Sequence, residues 1–373
     1  MLQHEIIELL EELSSCHGPP GGEQRVASII RKHLEGFCGI RYDGLGSLLA
    51  EKPGKHEKPR LLLCAHMDEI GFMVQSITDR GLLRLQPLGS WGGDQFSSLR
   101  LVIHTEKGDI PAVLAAIPPH FKKNAEEKDH EREIIADIGA LSREEVNERG
   151  VMLGDLLTPA SRFEFFGDQV LANKAWDDRV GCAALILGMK HLQSFDHAAT
   201  VIAAGTVQEE VGTRGATTAV TVAEPDLAIV LEGAPADDFP GLAKDEPQGA
   251  LGQGCQIRLY DPTTITNRKF WQWAAHLALQ HSIPHQLAVR QSGSTDARAI
   301  HVACGGIPTL ILSTPVRYIH SSTGLLHMAD FESTVSLLKV ILESLNQEVS
   351  DRITRFAPPD LNEQHNPEKP TEK

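Results

Sequence analysis

The chain reads as an α/β protein: a mixed sheet flanked by helices, interrupted by a small β-barrel or sandwich. Three observations predict this. Two continuous apolar runs, residues 60–65 and 199–206, have the length and composition of strands covered on both faces. After residue 167, segments with helical spacing of apolar residues alternate with such runs. Between residues 70 and 166 the texture changes to short alternating segments broken by glycine and proline, as in a compact antiparallel unit.

Residues 4–13 form an acidic amphipathic helix, and Cys16-His17-Gly18-Pro19-Pro20-Gly21-Gly22 is a turn before a second helix over 23–34. Strands follow at 47–51 and 60–65, joined by a polar connection. The second delivers His66-Met67-Asp68, in which alternation sets His66 and Asp68 on one face of extended backbone. Within the insertion, strands are expected at 71–77, 82–85, 101–105 and 112–116, with a charged exposed loop at 118–133. Helical spacing resumes over 177–192, after Asn173-Lys174-Ala175-Trp176. The strand at 199–206 then runs into Gln208-Glu209-Glu210-Val211-Gly212, a glycine-punctuated turn that opens a short helix. A strand over 226–231 ends in Glu232. Further helices are expected at 266–280, 294–302 and 331–346, with a strand at 307–312. Residues 1–69 and 167–355 thus make one α/β domain, 70–166 an inserted β domain, and 356–373 a Pro/Glu/Lys-rich tail that does not order.

Composition narrows the classes of function. With 41% hydrophobic and 23% charged residues, the 373-residue chain can bury a sizeable core as an ordinary globular protein. Its formal charge of −15 is spread along the chain and lacks the basic footprint that nucleic acid requires. No apolar run approaches the roughly 20 residues of a spanning helix, and no basic-then-apolar leader opens the chain. Six cysteines lie far apart with no C-x-x-C pair, so they read as free thiols of a reducing compartment. The expectation is a cytoplasmic protein with neither a nucleic-acid nor a membrane partner.

Five segments place metal-type donors at strand ends or loop starts. They are His66 with Asp68; Asp177 and Asp178; Glu209 and Glu210; Glu232; and His320 in Arg317-Tyr318-Ile319-His320-Ser321. Two histidines, three carboxylates and a spare Glu suit a dinuclear hydrolytic centre, in which a bridging carboxylate holds two cations about 3.5–4 Å apart. Each segment alone has a plainer reading. An H-x-D triplet can be a core-edge histidine, Asp177-Asp178 can cap the following helix, and Glu209-Glu210 can be a solvated turn. His327 rivals His320. Paired carboxylates also serve glycosidases, whose chemistry leaves both histidines without a task. A non-catalytic scaffold stabilised by metal is the third class.

Taken in order, H-x-D, D-D-R-x-G, Q-E-E-x-G-x-x-G-A, an acid ending a strand and R-Y-I-H-S resemble the glutamyl aminopeptidase family of dinuclear metallopeptidases, which includes the tetrahedral aminopeptidases. His66-Met67-Asp68-Glu69-Ile70-Gly71-Phe72 and Gly293-Ser294-Thr295-Asp296-Ala297 match as well, and the likeness runs from the first helix to about residue 350. The resemblance implies a zinc-exopeptidase-like fold and metal-dependent removal of the N-terminal residue from short peptides. It implies that His66 binds one metal, Asp177 bridges, and Glu210 and His320 complete the shell of the other. Glu232 would be the terminal carboxylate. The family commonly has Asp there, so a slightly displaced site or an altered metal preference is expected; Asp237 and Asp238 compete for the place. Asp68 would fix the tautomer and orientation of His66, and Glu209 would be the general base. Two divalent ions are implied, zinc first, with cobalt or manganese accepted by the same donors. The inserted domain would mediate a dimer-based homo-oligomer, often a hollow tetrahedral dodecamer, with the 118–133 loop facing its interior. A deacylase acting on a small metabolite would use the same donors.

Overall fold

The computed structural model describes residues 3–92, 96, 98–116, 120, 133–239 and 247–356. Helices α1 (Gln3–Ser15) and α2 (Gln24–Leu34) precede strands β1 (Gly39–Tyr42), β2 (Leu48–Lys52) and β3 (Arg60–His66). Next come β4 (Gly71–Ile77), β5 (Leu83–Leu88), β6 (Arg100–Thr105), β7 (Gly108–Leu114), β8 (Ile134–Asp137), α3 (Arg143–Glu148) and β9 (Leu156–Pro159). The short β10 (Glu164–Phe165) and β11 (Val170–Asn173) lead to α4 (Trp176–Ser194), β12 (Thr200–Thr206), α5 (Arg214–Ala223) and β13 (Leu227–Pro235). Then follow β14 (Cys255–Asp261), β15 (Thr264–Ile265), α6 (Arg268–Gln280), β16 (His285–Val289), α7 (Ala297–Ile300), β17 (Thr309–Arg317), β18 (Gly324–His327), α8 (Met328–Ser344) and α9 (Gln347–Thr354).

The large sheet has the order β1-β2-β12-β3-β13-β17-β18-β11-β10, with β14 beside β17 and carrying β15 and β16. Its centre is parallel: β12 with β3, β3 with β13, and β13 with β17. Period-two alternation divides β3 between two cores. Leu61, Leu63 and Ala65 pack with α1, α2, α4, α6 and α8, whereas Leu62 and Cys64 pack with the small residues Ala216, Ala219, Val220 and Ala223 of α5 and with Ala297 and Ile300 of α7. Covering both faces is what lets β3 and β12 be apolar without interruption. Fully burying each such leucine contributes about 1.5–3 kcal/mol.

Strands β4-β5-β8-β7-β6-β9 close into a barrel. Phe72, Val74, Leu83, Leu85, Leu101, Ile103 and Leu157 fill it, and closure leaves no free strand edge. This is the barrel alternative of the sequence expectation. The 118–133 loop, apart from His120 and Glu133, and the tail from 357 onward lie outside the described residues.

Three of the expected elements end or begin elsewhere in ways that bear on the site and its frame. Glu232 does not end its strand: β13 continues to Pro235 because β17 keeps pairing with it as far as Val316. The helix expected at 294–302 shrinks to the four residues of α7, because Asp296 is drawn into the core, where Thr206 Oγ1 (2.5 Å) and Cys64 Sγ (3.3 Å) donate to its carboxylate. The last expected helix, 331–346, stops at Ser344 and a further helix follows it. Asn346 does not end α8 but caps α9, its side chain accepting the Val349 N–H. Among the described residues no helix is long and apolar enough to cross a membrane.

Candidate metal centre

Because β3, β12, β13 and β17 are parallel, their carboxyl ends share one edge of the sheet, where ligands collect in open α/β folds. His66 is the last residue of β3, paired with Thr206 at the end of β12. Glu209 and Glu210 lie in the turn after β12, and His320 three residues beyond β17. Glu232 projects from within β13 opposite Ser313. Asp177 belongs to the first turn of α4, at non-helical φ/ψ.

Asp177 lies between the two imidazoles. Its Oδ1 is 3.0 Å from His66 Nε2, and its Oδ2 is 3.2 Å from His320 Nε2. Glu232 Oε1 stands 3.5 Å from His66 Nε2, and Glu210 Oε1 is 3.2 Å from His320 Nε2. The five donors expected from sequence therefore converge, in two sets that meet at Asp177. Asp178 also comes within ligating reach of His66 and Glu232. Its oxygens, however, are taken by backbone: Oδ1 accepts the Gly181 N–H at 3.0 Å and Oδ2 the His66 N–H at 3.1 Å.

The competitors are engaged elsewhere. Asp237 accepts from Arg290 and from the Gln248 and Gly249 amides, and Asp238 accepts from Arg317 and the Leu251 amide. His327 caps α8 through the Ala329 N–H. Asp68 does more than sit behind His66. Its carboxylate lies 3.4 Å from His66 Nδ1, farther than its own backbone carbonyl at 3.1 Å. The carboxylate oxygens accept the Glu209 and Glu210 amides at 2.9 and 3.0 Å, so one side chain pins the turn that carries both glutamates.

A second buried cluster braces α4. Lys174 Nζ lies 2.5 and 2.7 Å from the Glu69 carboxylate, and Arg179 donates to the Leu13 and Cys16 carbonyls at 2.7 Å. Glu69 and Arg179 stood inside the recognised motifs with no task; pairing across 110 residues leaves no trace in local spacing.

Electrostatically the edge is crowded with acid. Burial raises Glu209 and Asp178 well above the usual carboxylate range, raises Glu210 and Asp296, and takes Glu232 up to about 8. Burial works the same way on Asp177, but His320 and His66 outweigh it and hold this carboxyl below its ordinary value. Burial would depress His320, yet Asp177 and Glu210 carry it up to about 11. Glu232 Oε2 is buried and, among the described residues, has no hydrogen-bond partner. Imidazole nitrogens and carboxylate oxygens in this proportion fit divalent transition metals, whose charge offsets the repulsion among the acids.

Comparison with known proteins agrees with this geometry. Residues 46–337 match the M42 glutamyl aminopeptidase family model. The glutamyl aminopeptidase of Lactococcus lactis is 34% identical over 359 residues, covering 94% of this chain and all of that one. Among solved structures, a TET aminopeptidase from a marine-sediment Thaumarchaeota archaeon aligns with a TM-score of 0.90 at 36% identity, over 94% of this chain and 99% of its own. The Pyrococcus horikoshii TET1 peptidase, which can assemble into a tetrahedron or a large octahedral shell, aligns with a TM-score of 0.81 at 31% identity, over 91% of this chain and all of its own. The chain belongs to the M42 glutamyl aminopeptidase family, hydrolases of peptide bonds.

Proposed function

We propose that the protein is a dinuclear metalloaminopeptidase that removes the N-terminal residue of short peptides. The observation that carries this reading is the position of Asp177, whose two oxygens face the two imidazoles at 3.0 and 3.2 Å. One ion would be held by His66 and Glu232, the other by Glu210 and His320, with Asp177 between them. Bound there, the ions supply Lewis-acid polarisation of the scissile carbonyl and a water acidified towards neutrality. Zinc is the first choice, and cobalt or manganese suit the same donors.

Glu209 takes the proton of the attacking water on its carboxylate and returns it to the leaving amine. Burial favours its protonated form, which eases the first transfer. Asp68 keeps the turn, and with it Glu209, in place. The cationic free amine of a peptide is complemented by the surrounding acids, which accounts for action at chain ends. Residues 1–69 and 167–355 serve as the catalytic unit. Residues 70–166 serve assembly into a dimer-based homo-oligomer, a tetrahedral dodecamer by analogy with TET1. Six unpaired thiols support a cytoplasmic location.

The test is a panel of dipeptides and aminoacyl amides, with free and blocked N-termini, offered to zinc-loaded and chelator-stripped protein. Release of free amino acid from unblocked substrates by the loaded form alone is the expected result. Metal binding without release across the panel would transfer the assignment to a deacylase.

A further inference from the structure

Glu23 stands at the N-cap of α2, where a side chain ordinarily accepts an amide of its own helix. It makes no such bond. Its carboxylate turns the other way, towards the turn that carries Glu209 and Glu210, and the residue is 2% exposed. Oε1 accepts the Gly21 N–H at 2.9 Å and, across 185 residues of sequence, the Gln208 N–H at 3.0 Å. Burial, and after it the Asp68 carboxylate, raise Glu23 to about 7, a cost that a solvated helix cap would avoid.

Together with Asp68, Glu23 completes a clamp. Three successive amides are each held by a buried carboxylate: Gln208 by Glu23, then Glu209 and Glu210 by the two oxygens of Asp68. The first of them needs holding, because Gln208 adopts a left-handed φ of +57°, a conformation that persists only where its surroundings enforce it. If Gln208 relaxed, the peptide leading into Glu209 would rotate, and its side chain would leave the turn in another direction.

We propose that Glu23 is a positioning residue for Glu209, fixing the aim of the proton carrier by anchoring the Gln208 amide. The inference rests on the reading of Glu209 as general base. It assigns catalytic consequence to the Gly-Pro-Pro-Gly-Gly-Glu loop, which contributes no metal donor.

The experiment compares Glu23→Gln, Glu23→Asp and Glu23→Ala with Glu209→Gln in the zinc-loaded full chain, reading kcat, KM, bound metal and thermal midpoint. Glu23→Gln keeps an oxygen at the same reach and should retain most of the kcat. Glu23→Asp keeps the charge but falls one methylene short. It and Glu23→Ala should lose about 10- to 100-fold in kcat, the usual cost of removing a group that orients a metal-site residue, with KM and metal content unchanged. Equal kcat in the Gln and Asp variants would overturn the proposal, as would loss of metal in step with loss of rate. Should Glu23→Ala fail to fold, the Gln and Asp pair still decides. Glu209→Gln should be inactive with its metals bound. Turnover by Glu209→Gln would remove the general base, and the positioning role with it. An inactive Glu209→Gln beside a fully active Glu23→Asp would sink the Glu23 proposal alone.

Discussion

Gly233 follows Glu232 on β13, and a Cβ there would come within 2.6 Å of the Trp176 carbonyl and 3.0 Å of the Asp177 Cα. Both obstacles are backbone and cannot swing aside. Gly233→Ala should therefore push the start of α4 off the strand and displace Asp177. A shift of about 1 Å can cost a hundredfold in rate, so kcat should fall on that order while the far-ultraviolet dichroism stays native. A variant with wild-type kcat would show that Asp177 is not held against β13. At this scale the convergence of His66, Asp177, Glu210, Glu232 and His320 was legible because imidazoles and carboxylates at strand ends have few other uses in combination. Which of the two adjacent aspartates faced the histidines was not legible from residue types. The structure divides the pair: Asp178 bonds an amide of α4, as a cap does, and Asp177 turns to His66 and His320. Glu23 escaped notice because an acid at a helix start has a sufficient local explanation.

The loop between α1 and α2 meets the barrel at the Thr158 hydroxyl, which lies 2.6 Å from His17 Nδ1 and 3.0 Å from His104 Nε2. The two rings are 4.5 Å apart, and His104 also bonds Asp109, which pairs with Arg25. Burial, with Lys174 and His104 adding to it, lowers His17 from the ordinary histidine value of 6.5 to about 3. An unfolded chain takes up this proton as the pH falls below 6.5, while the folded chain resists until about pH 3. The contribution is therefore complete above pH 6.5 and is lost progressively as the pH falls towards 3. Thermal midpoints at pH 7.5 and 5.0 should separate more for the wild type than for His17→Gln, and equal separations would remove the histidine from this junction. Elements declared themselves unequally. Runs buried on both faces, such as β3 and β12, and the amphipathic helices carried a clear period. Strands β10 and β15 are two residues long, and β14, β16 and β18 are held by partners distant in sequence, β18 by β11, so local pattern did not mark them.

For the whole molecule, the sheet brings three carboxyl groups and two imidazoles from widely separated segments to one edge and buries them together. A cation that binds this arrangement has no comparable site in the unfolded chain, so metal binding adds directly to global stability. Free metal at a thousand times its Kd contributes about 4 kcal/mol. Chelation should lower the thermal midpoint, and zinc should restore it; identical midpoints with and without chelator would argue that the edge holds no ion. The broad architecture was legible because a change from alternating segments to βα texture is a property of long stretches. Barrel closure was not, since it depends on β9 reaching both β4 and β6, a pairing that local pattern does not encode.

The proposed donors are spread from His66 to His320, with Asp177, Glu210 and Glu232 between. On the ribosome, the chain emerges with the first histidine early and the last only after β17 has been made. No nascent segment short of that point holds the complete set, however well its strands have formed. Peptide cleavage that depends on this set is thereby deferred until β17 and the turn after it have been made, and a shorter growing chain of this protein is no hazard to the unfinished chains around it.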